Sequence, residues 1–156
     1  MKGNQNLLNG NSKLYFFLIV LALSPLLYIE LPIDRSVFAK LISFGRPTHY
    51  SAIINNRCII DITYDCLGIK NVVSFAILVV AYALAYKKFY AKKFVFYSLL
   101  IFVINLVRVI VISYMPCDIV NTMHTISWFA FSYIIVPFMF IFYIKGNRKL
   151  SDLFRL

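Results

Sequence analysis

Charge is scarce in this sequence. Asp, Glu, Lys and Arg make up 14% of its 156 residues, where a soluble domain has about 25%. With 62% hydrophobic residues and a mean hydropathy of +0.81, no soluble fold of this size can hide its apolar surface. Cysteine is scarce too. Cys58, Cys66 and Cys117 are too few and too scattered for a CxxC redox pair or a zinc site, and an odd count leaves at least one thiol unpaired within the chain. There are no internal repeats and no low-complexity stretches, so residues 1–156 read as a single membrane domain. A small-x-small cleavage site is missing after the first apolar run, where Glu30, Leu31, Pro32 and Ile33 follow. That run therefore reads as a membrane helix and not as a removable signal.

Four apolar runs are present, at about 14–32, 69–86, 94–114 and 123–144. Each is long enough for a hydrocarbon core of about 30 Å at about 1.5 Å per residue. Pro25 and Pro137 mark expected kinks. The expected fold is an all-α integral membrane helix bundle with about four transmembrane helices. The net charge of +10 falls in short clusters between the runs, which is the positive-inside pattern and not a nucleic-acid signature. Lys87, Lys88, Lys92 and Lys93 in one tight loop, and Lys145, Arg148, Lys149 and Arg155 behind the last run, place that loop and the C-terminus inside; Lys2 and Lys13 place the N-terminus inside. A multi-pass protein of the cell membrane is expected, with both termini cytoplasmic and the segments 34–68 and 115–122 outside. Arg35, Lys40, Arg46, Arg57 and Lys70 run against that orientation and are partly offset by Asp34, Asp61 and Asp65.

The outer loop has its own pattern. Val37, Phe38, Leu41, Ile42 and Phe44 recur at roughly helical spacing, with Lys40 and Ser43 on the other side, as in a helix lying in the interface. The β-branched and aromatic runs 50–54 and 57–64 flank Asn55-Asn56, a two-residue hairpin turn.

Three reactive side chains fall in one layer near the outer surface. Arg108 interrupts an apolar run, which costs about 2.5–3.5 kcal/mol on insertion scales unless the residue faces a cavity or a partner; the bland alternative is snorkelling to the outer head groups. Asn105 stands one turn away, within reach to orient it. Cys66, after Asp65 and before Leu67 and Gly68, precedes the second run, where helix N–H groups and the positive dipole end favour thiolate. Gly68 lets another backbone or a substrate come close. His124 opens the fourth run, while Cys58 and Cys117 lack the helix-start setting and read as structural or as a disulfide pair. A thiolate attacking a carbonyl, a histidine moving the proton and a cation holding the oxyanion make an acyl transfer through a thioester.

The ordered elements Cys66-Leu67-Gly68-Ile69, Asn105-Leu106-Val107-Arg108-Val109 and His124 resemble the exosortase and archaeosortase family of membrane cysteine transpeptidases, over residues 58–144. The resemblance implies Cys66 as nucleophile, with Arg108 and His124 completing the catalytic site; Asn105, Gly68 and Asp65 are read as supporting residues. It implies a thiol protease whose substrates are exported proteins ending in a short motif, a transmembrane helix and a basic tail. These would be cleaved at the outer face and passed to an acceptor. Leu67 stands where the family often has Ser, which bears on local hydrogen bonding. One N-terminal span stands where many members have several, which leaves open a minimal enzyme or one that needs a partner membrane subunit. No cofactor, metal or nucleic acid is expected. Two other classes compete: a non-enzymatic membrane assembly or transport subunit with an inert Cys66, and a thiol redox membrane protein.

Overall fold

The structure is a computed structural model and describes residues 9–29, 34–43, 45–50, 52–55 and 58–145. It is mostly helical. Three helical stretches are long and apolar enough to cross a membrane: Ile69–Tyr86, Ala91–Ser113 and Cys117–Lys145. A shorter apolar stretch, Ser12–Tyr28, precedes them. In chain order the elements are helix α1 (Asn9–Leu23) with a 3₁₀ turn (Ser24–Tyr28), α2 (Arg35–Ser43), strands β1 (Thr48–His49), β2 (Ala52–Asn55) and β3 (Cys58–Asp61), a second 3₁₀ turn (Tyr64–Leu67), α3 (Ile69–Tyr86), α4 (Ala91–Ser113), α5 (Cys117–Ala130), a π turn (Phe131–Ile135) and α6 (Val136–Lys145). The expected basic residues Lys2, Arg57, Arg148, Lys149 and Arg155, the end of the first run at 30–32, Phe44 and Asn56 lie outside the described residues.

Both prolines act where expected, each in its own way. At Pro25 the α-helix tightens into the 3₁₀ turn, because the ring removes a donor from the i→i−4 ladder. Before Pro137 the helix widens into the π turn Phe131–Ile135 and then resumes as α6. The last helix also starts earlier than its apolar run suggests. Pro116 presets the N-cap and Asp118 complements the dipole in the first turn, so Cys117 to Thr122 are helical although Asp118, Asn121 and Thr122 are polar. His124 therefore lies two turns inside α5 and not at its start.

One end of the bundle carries a cap made of α2 and the sheet. Ser36 N–H donates to Asp34 Oδ1 at 2.8 Å, and the Ser36 hydroxyl and N–H together hold the Asp34 carboxyl below its ordinary range. Ala39, Ile42 and Ser43 are the buried positions of α2, while Val37 and Leu41 are 64% and 66% exposed. The buried face thus differs from the stripe of large residues expected: small side chains at 39 and 43 allow close approach, and Val37 and Leu41 turn outward.

The sheet is antiparallel in the order β1-β2-β3. Asn55 pairs with Cys58, so Asn55 belongs to β2 and not to the turn expected at Asn55-Asn56. Burial sets this register. Ile53 is fully buried and pairs with Ile60, and a slip of one residue would turn both away from the core. Two apolar clusters result. One joins cap to bundle through Ala39, Ile42, Ile53, Ile62, Cys66 and Val109; the other fills the bundle around Phe75, Val79, Ile101, Phe131, Val136 and Tyr143. At the far end Tyr90 N–H donates to the hydroxyl of fully buried Tyr143 at 2.9 Å, tying the start of α4 to α6.

Candidate active site

Cys66 sits on the 3₁₀ turn that joins β3 to α3. Its N–H donates to Thr63 O at 3.0 Å, and Gly68 then turns the chain into α3 with φ +74°. The thiol is free and 2% exposed. Its Sγ lies 3.1 Å from His124 Nε2 on α5 and 3.5 Å from Thr63 Oγ1. A thiol and an imidazole at that distance can exchange a proton directly, which is the relation a cysteine nucleophile needs with its base. The Asp65 side chain lies outside the described ones.

Helix α4 fixes Cys66 from below. Fully buried Asn105 donates from Nδ2 to Cys66 O at 2.8 Å. Asn105 was expected to orient Arg108; it holds the cysteine's backbone instead. The close approach expected at Gly68 is made by that same amide. A Cβ at position 68 would lie 2.5 Å from Asn105 Nδ2 and 2.8 Å from its Cγ.

Arg108 follows one turn later on the same face, and its guanidinium nitrogens are buried. Its Cζ lies 5.8 Å from the centroid of the Phe131 ring, within the range of a cation–π contact. Side chains lean toward the N-terminus of their helix, so Arg108 leans along α4 away from the cap and toward the π turn. It does not snorkel toward the cap end, and it is not among the described residues that line the cavity around Cys66 and His124. Beside it, Ser132 Oγ donates to Asn71 Oδ1 at 3.0 Å, a second polar link between the π turn and the bundle.

The cavity, of about 320 Å³, is bounded by residues 59–63, by Cys66, by the end of α4 at Val109, Ile112 and Ser113, and by the first two turns of α5. Its lining brings in Thr63 and Asn121, which the sequence did not single out, and Asp61, which stood out there only as a charge. Asn121 precedes His124 by one turn on the same helix face, a neutral amide donor of the type that stabilises an oxyanion. Cys117 also lines the cavity. It opens α5, so it does stand at a helix N-terminus, contrary to expectation, but it is disulfide-bonded. The side chain of Cys58 lies outside the described ones.

Arg46 carried no signal in the sequence beyond its charge. Its Nη1 donates to Ser113 O at 2.6 Å, Nη2 to Ser113 Oγ at 2.7 Å and Nε to Ser43 O at 2.9 Å, with the guanidinium 4.0 Å from the Tyr114 ring centroid. One planar fork thus caps the C-termini of both α2 and α4 and fastens the cap beside the cavity wall. In comparisons with known proteins the chain matches no family model, no curated protein and no solved structure.

Proposed function

We propose that this chain is a membrane-embedded cysteine transpeptidase or thiol protease of the exosortase type, acting on exported proteins at the outer membrane face. The observation that carries the reading is the 3.1 Å approach of Cys66 Sγ to His124 Nε2 in a cavity at the capped end of an apolar helix bundle. Cys66 attacks the scissile carbonyl and His124 takes the thiol proton. The tetrahedral intermediate collapses to a thioester as His124 returns that proton to the leaving amine; an acceptor, or water, then releases the acyl group. Asn121 and Thr63 supply neutral donors near the developing oxyanion.

Arg108 serves as a positioning residue. Helix α4 holds Cys66 through Asn105 and the His124 helix through the Arg108–Phe131 contact, so a single rigid element sets the distance between nucleophile and base. The chain crosses the membrane four times, both termini inside. The Ser12–Tyr28 stretch has twelve α and five 3₁₀ residues and rises about 28 Å, close to a hydrocarbon core of about 30 Å. The Lys87, Lys88, Lys92 and Lys93 turn then faces the cytoplasm and the cap faces out.

The test is co-expression with a tagged substrate ending in a motif, a transmembrane helix and a basic tail, with its size followed on a gel. Cys66→Ala and Cys66→Ser are expected to abolish processing while the protein stays folded in the membrane. Normal processing by Cys66→Ala would return the chain to the class of non-enzymatic membrane subunits.

A further inference from the structure

A cavity that opens onto one face of a strand touches every second residue, because side chains alternate between faces. This cavity touches three in succession on β3, residues 59–61, and then residues 62 and 63 beyond the end of the strand. It therefore runs along the edge of β3, which is one of the two edge strands of the sheet. The hydrogen-bond pattern says which backbone groups face that edge. Ile54 N–H donates to Pro47 O at 2.8 Å, on the β1 side. Ile54 and its partner Ile59 are thus a non-hydrogen-bonded pair, and the N–H and C=O of Ile59 point away from β2. Beyond the strand the same edge leads to Thr63, whose hydroxyl is 3.5 Å from Cys66 Sγ.

We propose that the occupant of this cavity is a peptide segment in extended conformation, bound by adding a strand to the β3 edge so that one of its carbonyls is delivered to Cys66. The inference rests on the acyl-transfer reading of Cys66 and His124. Main-chain pairing gives such a complex its affinity and tolerates varied side chains.

The full-length protein in lipid nanodiscs is treated with a tetra-alanyl fluoromethyl ketone. Cys66 Sγ forms a bond to the methylene carbon, fluoride leaves, and the thiol proton passes to His124 and then to solvent. Labelling is timed by intact mass, and iodoacetamide serves as a peptide-free control. N-methylating the backbone amides of the probe is expected to slow labelling about tenfold, the loss of one or two net hydrogen bonds. Ile59→Pro removes an outward N–H without touching the β2–β3 ladder; it is expected to slow the peptide probe equally and to leave the iodoacetamide rate unchanged.

If Ile59→Pro fails to fold by circular dichroism, the N-methylated probe on the unmodified protein decides. Equal rates for plain and N-methylated probes on a reactive Cys66 would overturn the strand pairing alone. A Cys66 no more reactive toward iodoacetamide than free cysteine would overturn the acyl-transfer reading and this inference with it.

Discussion

Gly68→Ala is expected to damage the site through a side chain that is itself far away in sequence. The new Cβ would come 2.5 Å from Asn105 Nδ2, 2.8 Å from Cγ and 3.0 Å from Cβ, at a backbone φ of +74°. The left-handed conformation costs about 1–2 kcal/mol for a residue with a Cβ. Displacing the Asn105 amide breaks its bond to Cys66 O, which costs about 1–3 kcal/mol more in a buried setting. The total is about 2–5 kcal/mol. Asn105→Ala loses the same hydrogen bond, about 1–3 kcal/mol, and also removes the two closest contacts.

The double variant should therefore be about as stable as Gly68→Ala alone, with a coupling of about 1–3 kcal/mol between the two sites. Unfolding by SDS, followed by circular dichroism, measures the cycle. The iodoacetamide rate at Cys66 shows whether the thiol has moved from His124. Additive losses, or a Gly68→Ala protein as stable and as reactive as the wild type, would refute the idea that this glycine exists to admit Asn105.

Three further outcomes are expected. His124→Ala should lower substrate processing by about 10²–10⁴, the worth of a positioned acid–base group, with stability within about 1 kcal/mol in SDS titrations. Cys117→Ser should cost about 2–5 kcal/mol by loss of its disulfide and should leave Cys66 open to alkylation, as peptide mapping would show. Arg46→Ala should destabilise by about 2–4 kcal/mol because three acceptors on α2 and α4 lose a charged donor; Arg46→Lys should recover only part of that, since an ammonium cannot span all three.

Much of the helical architecture could be read from the chain because each apolar run is long and carries at most one charged residue. The second run and α3 share the bounds 69–86. The start of α5 was not legible, since Asp118, Asn121 and Thr122 break up its first two turns and hydropathy sees only the apolar part of a helix. The pairing of Cys66 with His124 could be anticipated from depth alone, because two positions far apart in sequence were assigned to one layer.

The partner of Asn105 could not be anticipated. Local spacing pointed to Arg108, one turn away, whereas the contact made is to a carbonyl 39 positions earlier. The direction of Arg108 follows from the tilt of helical side chains, which a one-dimensional depth estimate ignores. Arg46 was one of five cations in a loop, and nothing near it in sequence marks the helix ends it caps. The same holds for the β3 edge, since strand order is a property of the assembled sheet.

The central claim is that Cys66 carries the acyl group, and the direct test is to capture it. Full-length protein bearing His124→Ala, which is expected to slow turnover, is co-expressed with the tagged tripartite substrate and digested for mass spectrometry. The expected result is a substrate fragment attached to Cys66 and released by hydroxylamine, as a thioester is, with no such adduct in Cys66→Ala. An acyl adduct on another residue, or processing that continues in Cys66→Ala, would contradict the claim.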